Sequence, residues 1–373
     1  MAHWQEIRSY FPALQKYVYL TTAGGGPMST LAHRAAVSFY DAMLTDGDKP
    51  WNKWLARVEA IRQQTAAFID ADPVEVAFVQ NTSHGMSTLA QMLRGRGDVI
   101  AMDDDFPTAT IPFLKQGFHI EYVTSDDHCV IRPTAIEAAM TPASRVLVLS
   151  AVQYATGFRQ DLEECSDLCK KHGLLLIVDA SQQLGVFPLN VKKAGMDFMV
   201  SSGNKWLGAG YGIGLLYIRR ELIDSALFPA AGWMSVKQPT LMDNRSTDFK
   251  DTAAMLETGG PAFPNIFALG GALELLKRIG MPAIQERIYE LTSYLLQQLR
   301  DGSFSIVSST EELYRSAITI IDVPDKRAVA SQLNRRNILV AARRRGIRVA
   351  VHFFNTFAEI DTLIAALKEL APR

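Results

Sequence analysis

The chain has 373 residues, 48% hydrophobic and 21% charged, enough for one large α/β domain and a smaller one in a soluble globular enzyme. A net charge of −1 leaves no electrostatic footprint for nucleic acid or an anionic membrane, so neither partner is expected. The cysteines, Cys129, Cys165 and Cys169, are too sparse and odd in number for a disulfide framework and suit a reducing compartment.

Residues 1–20 mix charge with aromatics and lack a signal-type apolar core. No apolar run approaches the roughly 20 residues of a membrane span. The expected location is the cytoplasm. An amphipathic helix is predicted over Trp4 to Lys16, followed by a Thr21-Thr22-Ala23-Gly24-Gly25-Gly26-Pro27 turn. The triple glycine reads either as a plain tight turn or as a close approach of backbone to a ligand. Helices follow over about 29–44 and 54–69. A strand at 74–79 then runs into Asn81-Thr82-Ser83 at the start of a further helix.

Strand and helix then alternate: 98–102, 109–116, 119–123, 133–140, 146–150, 162–172 and 174–178. Such alternation marks a mostly parallel sheet covered by helices. Cys165 and Cys169 share one face of the 162–172 helix. With no second Cys or His pair at zinc spacing, they read as packing, and no metal is expected. An apolar helix near 262–278 leads to a compact α+β module of helix, strand (316–323), helix (326–334), strand pair (338–341, 347–352) and helix (359–370). The expected fold class is therefore α/β, a large domain with a mostly parallel helix-covered sheet plus a smaller α+β C-terminal domain. The expected division is 1–20 (an N-terminal segment on the small domain), 21–265 (large domain) and 266–373 (linking helix and small domain).

Two apolar runs carry the chemistry. Leu174 to Val178 ends in Asp179-Ala180-Ser181-Gln182, and Phe198 to Ser201 ends in Ser202-Gly203-Asn204-Lys205. Ligands of open parallel sheets sit at the carboxyl ends of strands. Asp179 and Lys205 could thus face one cavity from neighbouring strands. Pyridoxal phosphate needs such a pair: a lysine amine for a Schiff base and an acid on the protonated pyridine nitrogen. A lysine loses its proton more readily when desolvated. Taken singly, Asp179 also reads as a helix cap and Lys205 as a surface lysine. Asn81-Thr82-Ser83 suits either a phosphate at a helix N-terminus or ordinary capping. Gly208-Ala209-Gly210-Tyr211-Gly212-Ile213-Gly214 puts Ile213 where a dinucleotide loop needs its third glycine, and a strand follows, so that reading is weak.

Together these motifs resemble the fold-type I pyridoxal phosphate enzymes, specifically the class V aminotransferase group with its cysteine desulfurases, kynureninases and isopenicillin-epimerase-like members. The resemblance runs from Tyr19-Leu20-Thr21-Thr22 to Phe353-Phe354-Asn355-Thr356. It implies that Lys205 is the Schiff-base lysine and moves the α-proton, that Asp179 pairs with the pyridinium, and that Gln182 bonds the ring oxygen. It implies phosphate ligands at Thr82, Ser83 and Ser202, and cofactor contacts at Asn204 and Gly260. Phe106, in Asp105-Phe106-Pro107-Thr108, falls where kynureninase-like members stack an aromatic, and Gln153-Tyr154 is kynureninase-like too, which puts Tyr154 on the substrate side. Arg348 matches the arginine that grips the substrate carboxylate; its planar fork suits two parallel bonds to one acid. One of Arg343, Arg344 and Arg345 is the alternative.

The chain departs from the family pattern in three places. Asn204 stands where relatives often have histidine. Gly259-Gly260-Pro261 replaces Gly-Thr-Pro and lacks the hydroxyl usually lent to a neighbouring subunit. No cysteine follows Cys169, whereas desulfurases carry a nucleophilic cysteine shortly before the carboxylate-binding arginine. The resemblance implies a homodimer and an aminotransferase-like enzyme acting on a small amino acid. A lyase or kynureninase-like hydrolase is the alternative, and a non-catalytic relative of the fold a further one.

Overall fold

The computed structural model describes residues 4–126 and 129–371. The first three residues of the 1–20 segment and the last two of the 266–373 unit lie outside the described residues. Where the sequence predicts one helix over Trp4 to Lys16, the chain forms α1 (Trp4–Ser9) and a separate turn of 3-10 helix at Pro12–Gln15. Pro12 has no N–H to donate and holds the residue before it out of helical geometry, and Phe11 stands at φ −120, ψ 83.

The chain continues through β1 (Val18–Tyr19), α2 (Thr30–Asp46), α3 (Trp51–Phe68), β2 (Val76–Val79), α4 (Thr82–Met92) and β3 (Asp98–Met102). Next come α5 (Ile111–Lys115), β4 (Ile120–Val123), α6 (Pro133–Ala138), β5 (Ser144–Ser150), α7 (Leu162–His172) and β6 (Leu175–Asp179). Strands β7 (Phe198–Ser202) and β8 (Gly214–Ile218) complete a seven-stranded sheet of order β2-β8-β7-β6-β5-β3-β4. Every neighbouring pair in it is parallel except those made by β8, which runs antiparallel to β7 and β2.

The strands are apolar on both faces because helices cover both. Strands β7 and β8 are buried throughout, and β5 at all positions but Arg145. Helix α7 shows how locally the covering elements are specified. Asp161 caps it by accepting from the Glu164 amide, acids fill its first turn, and bases fill its last. Gly173 then ends it with a left-handed φ of 67.

Beyond the sheet, α8 (Phe263–Ile279) packs on α2 and α3. Helix α9 (Met281–Asp301) joins two cores: Ile284 and Ile288 belong to the large one, Leu291, Leu295 and Leu299 to the small one. The small core lies under β9 (Ser305–Ile306), β10 (Ile318–Asp322), α10 (Lys326–Arg335), β11 (Ile338–Leu339), β12 (Ala341–Arg343), β13 (Gly346–Ala350) and α11 (Phe357–Leu370). Strands β12, β13, β10 and β9 form an antiparallel sheet, and β1 pairs in parallel with β11. Arg8 further fastens α1 to the C-terminal unit, donating to the Phe354 carbonyl at 2.8 Å and to Glu359 Oε1 at 2.6 Å.

Sheet order locates a crevice. From β3 the chain steps outward to β4, then returns past β3 to β5 and proceeds the other way through β6 and β7. The reversal lies between β3 and β5, the position at which α/β sheets bind ligands beyond their carboxyl ends.

Candidate active site

Asp179 ends β6, and Lys205 lies three residues past the end of β7; the two strands are hydrogen-bonded neighbours. The Asp179 carboxylate is buried. Its Oδ1 accepts from the Ser181 amide at 2.8 Å, and its Oδ2 has no hydrogen-bond partner among the described residues. Ser181 ties three segments together: its Oγ accepts from the Ser202 amide at 3.1 Å and lies 2.8 Å from Thr82 Oγ1. The ends of β6 and β7 and the start of α4 therefore converge.

Lys205 Nζ lies 5.7 Å from the centroid of the Phe106 ring and makes no hydrogen bond or ion pair among the described residues. Burial pushes its pKa down; the Asp179 charge opposes the shift and the Arg348 charge adds to it. The amine is thus biased toward its neutral, nucleophilic form.

The backbone that carries Lys205 is clamped from two directions. Gly26 donates its amide to the Asn204 carbonyl at 2.8 Å. A Cβ on Gly26 would stand 2.2 Å from the Lys205 carbonyl oxygen, so this glycine is required for close approach to the lysine turn itself. On the other side, His352 Nε2 donates to the Trp206 carbonyl at 3.0 Å. Burial drives the His352 pKa down to about 3, which keeps the ring neutral.

Gln182 is engaged at both ends of its amide: Oε1 accepts from Trp206 Nε1 at 2.7 Å, and Nε2 donates to the Ala23 carbonyl at 3.0 Å. One Nε2 hydrogen remains to serve a ligand. Asn81 caps α4 by accepting from the His84 amide, which leaves the first-turn amides of Thr82 and Ser83 without intrahelical acceptors. Ser83 Oγ lies 2.7 Å from Thr108 Oγ1, and Ser202 Oγ is buried without a partner.

The crevice between β3 and β5 forms the opposite wall. Phe106 and Tyr154 meet edge to face, centroids 5.3 Å apart. Arg348, 1% exposed on β13, reaches the Tyr154 carbonyl with Nη1 at 3.2 Å. Its Nε and Nη2 are buried with no partner among the described residues, and desolvation pushes its pKa down to about 9, the charge of Arg343 assisting. Two of its three sequence rivals are engaged elsewhere: Arg345 pairs with Asp104, and Arg344 stands 3.8 Å from the same carboxylate.

Thr82, Ser83, Phe106, Tyr154, Asp179, Gln182, Ser202, Asn204, Lys205 and Arg348 thus form one connected group. Gly260 is apart from it, beside Trp51 at the start of α3. Sequence reasoning missed four members of the surroundings. Ser181 sits within one quoted motif and Trp206 directly follows the other, but neither gives a sign that it bonds across the site. His352 comes from the far end of the chain. Asp105 accepts from the Ser150 amide at 2.8 Å with Oδ2 and is otherwise isolated in the interior. Burial, assisted by the Asp179 charge and opposed by the Ser150 hydrogen bond, raises its pKa to about 7.

A model of the family described as aminotransferase class-V matches residues 32–365. The chain belongs to the class V aminotransferase family. It is 28% identical to an uncharacterized aminotransferase, YcbU, of Bacillus subtilis (strain 168), over 95% of each chain. It is 24% identical to a probable cysteine desulfurase of Methanothermobacter thermautotrophicus, over 98% of each. In fold it is similar to the apo cysteine desulfurase of Thermococcus onnurineus NA1, with a TM-score of 0.88, 21% identity and 98% of each chain covered. The cofactor of class V aminotransferases is pyridoxal 5′-phosphate, and the residues of this chain fit it. The unbonded Lys205 amine suits the aldehyde, the free Asp179 Oδ2 suits the pyridine nitrogen, and the Ser202 hydroxyl with the open end of α4 suits the phosphate.

Proposed function

We propose that this class V enzyme is aminotransferase-like and acts on a small amino acid, with Lys205 as both the covalent attachment point and the base. The observation that carries this reading is a half-buried lysine amine without a hydrogen bond among the described residues, in electrostatic reach of Asp179 on one side and Arg348 on the other. Bound pyridoxal phosphate supplies an electron sink for the pair left at the substrate α-carbon. The protein's share is binding, orientation and proton movement. Arg348 holds the α-carboxylate through Nε and Nη2, whose hydrogens no group among the described residues takes. Lys205 Nζ, once free, takes the α-proton. Asp179 Oδ2 keeps the ring nitrogen protonated, its other oxygen fixed by Ser181. Thr82, Ser83, Ser202 and Asn204 hold the phosphate, Gln182 offers its remaining N–H to the ring oxygen, and Phe106 lies against the ring.

The Phe106–Tyr154 contact favours a second reading, a kynureninase-like hydrolase or a lyase acting at the β or γ carbon. Persulfide chemistry is not proposed. No cysteine follows Cys169, and Cys129, Cys165 and Cys169 are buried. Those reduced, buried thiols support a cytoplasmic setting. Membership of the class V family supports a homodimer, in which Gly260 would serve the neighbouring subunit.

Lys205→Ala tests the assignment. The variant should fold, bind the cofactor only reversibly, and lack the visible absorbance of the lysine-linked form; retention of that absorbance overturns the reading. Conversion to the pyridoxamine form on adding amino donors distinguishes transamination from release of pyruvate or alanine.

A further inference from the structure

The run Arg343-Arg344-Arg345 is not uniform. Arg345 turns to Asp104 of the large domain and pairs with it, and Arg344, largely exposed, stands 3.8 Å from the same carboxylate. Arg343 has no carboxylate within ion-pair distance among the described residues, and its one hydrogen bond is to the carbonyl of its own neighbour, Ala342, at 2.8 Å. It is half-buried.

Register fixes where it points. Strands β12 and β13 are antiparallel, with Ala341 opposite Arg348 and Arg343 opposite Gly346. Opposed residues share a face, and alternate residues along a strand return to it. Arg343 and Arg348 are therefore diagonal neighbours on one face, a relation that spans about 7–8 Å. The opposite face, carrying Ala342, Ile347 and Val349, packs into the small-domain core. Arg348 thus reaches the Tyr154 carbonyl, Arg343 carries a second cation on the same face within electrostatic reach of it, and no acid among the described residues is paired with either. Such a pair repels itself, and an anion bridging both would relieve that cost.

We propose that Arg343 is a specificity-determining residue and that the substrate is a small amino acid with a second acidic group on its β or γ carbon. The α-carboxylate binds Arg348 and the distal acid binds Arg343. A diacid of four or five carbons is short enough to be shared by two arginines on adjacent strands, and a neutral side chain leaves Arg343 unneutralised. This inference rests on the reading of Arg348 as the α-carboxylate clamp.

Maleate and butyrate separate the two claims, since neither has an amine and neither can be turned over. Calorimetric titration of the cofactor-loaded protein at constant ionic strength should show maleate binding at least tenfold more tightly than butyrate. Arg343→Gln should remove that preference and leave butyrate binding unchanged; Arg344→Gln should alter neither. Retention of the visible absorbance by each variant certifies that the site is intact. Equal binding of the two acids by the unmodified protein, or an Arg343→Gln variant that keeps the preference, overturns the proposal. If instead Arg348→Gln leaves both affinities unchanged, the clamp reading itself falls, whatever Arg343 does.

Discussion

Arg348 and Asp105 are charged side chains held where water would normally surround them. Burial and the charge of Arg343 push the Arg348 pKa down, yet a guanidinium keeps its charge across the working pH range, so Arg348 stays a cation short of acceptors. Arg348→Gln should raise KM for an amino acid by roughly ten- to a hundredfold, the worth of a charge-assisted hydrogen bond. Steady-state kinetics check it. Asp105 is the group that titrates. Its folded pKa of about 7 is above the ordinary carboxylate value, so the unfolded chain releases this proton first. Its contribution to stability is fully present in acid and is lost as pH rises from about 4 to about 7. Asp105→Asn, which can still accept from the Ser150 amide, should flatten that decline and gain on the order of a few kcal/mol at neutral pH. Urea unfolding at pH values across that range measures it.

At the scale of elements, the site depends on turns that interlock. Residues 21–27 read equally well as a simple turn or as a close approach to a ligand, and the structure gives a third use: Gly26 lies against the Lys205 carbonyl. Gly26→Ala should cost about 1–3 kcal/mol, as overpacking usually does, and should lower cofactor occupancy by displacing the lysine. Thermal melting with an absorbance readout of bound cofactor would detect both. A second interlock precedes the Gly259-Gly260-Pro261 turn. Glu257 accepts from Arg62 of α3 at 2.5 and 2.8 Å and from the Phe78 amide of β2 at 2.8 Å. Removing one partner of a buried pair strands the other, so Arg62→Leu should destabilise by about 3–5 kcal/mol.

For the molecule as a whole, the substrate wall is split between two cores. Lys205, Asp179 and Phe106 belong to the large sheet, whereas Arg348 and Arg343 come from the small one. Asp104, just past β3, spans the two through Arg345. Asp104 and Arg345 are 11% and 31% exposed, which places the pair between a surface bridge worth at most about 1 kcal/mol and a buried one. Asp104→Asn should leave the core intact, lower Tm by a few degrees and raise KM more than it lowers kcat, because the arginines would be held less firmly over the lysine. Differential scanning calorimetry and steady-state kinetics on the same sample test that division.

Local sequence determined much of this protein. The alternating strands and helices, the capped α7, and the acid and lysine ending consecutive strands are properties of short stretches, since period, capping and composition act over a few residues. These were enough to name the Asp179 and Lys205 motifs and the fold class. Pro12 belongs with the local signals too, since the break it makes between α1 and the 3-10 turn follows from its own ring. Only the tertiary structure decided the rest. It seated Ser181 between Thr82 and Ser202, set His352 under the lysine turn, isolated Asp105 from water, and sorted four nearby arginines into two beside Asp104 and two with no carboxylate partner among the described residues. Which partner a side chain meets depends on contacts between segments hundreds of residues apart, and burial, which sets charge state, exists only once those segments have packed.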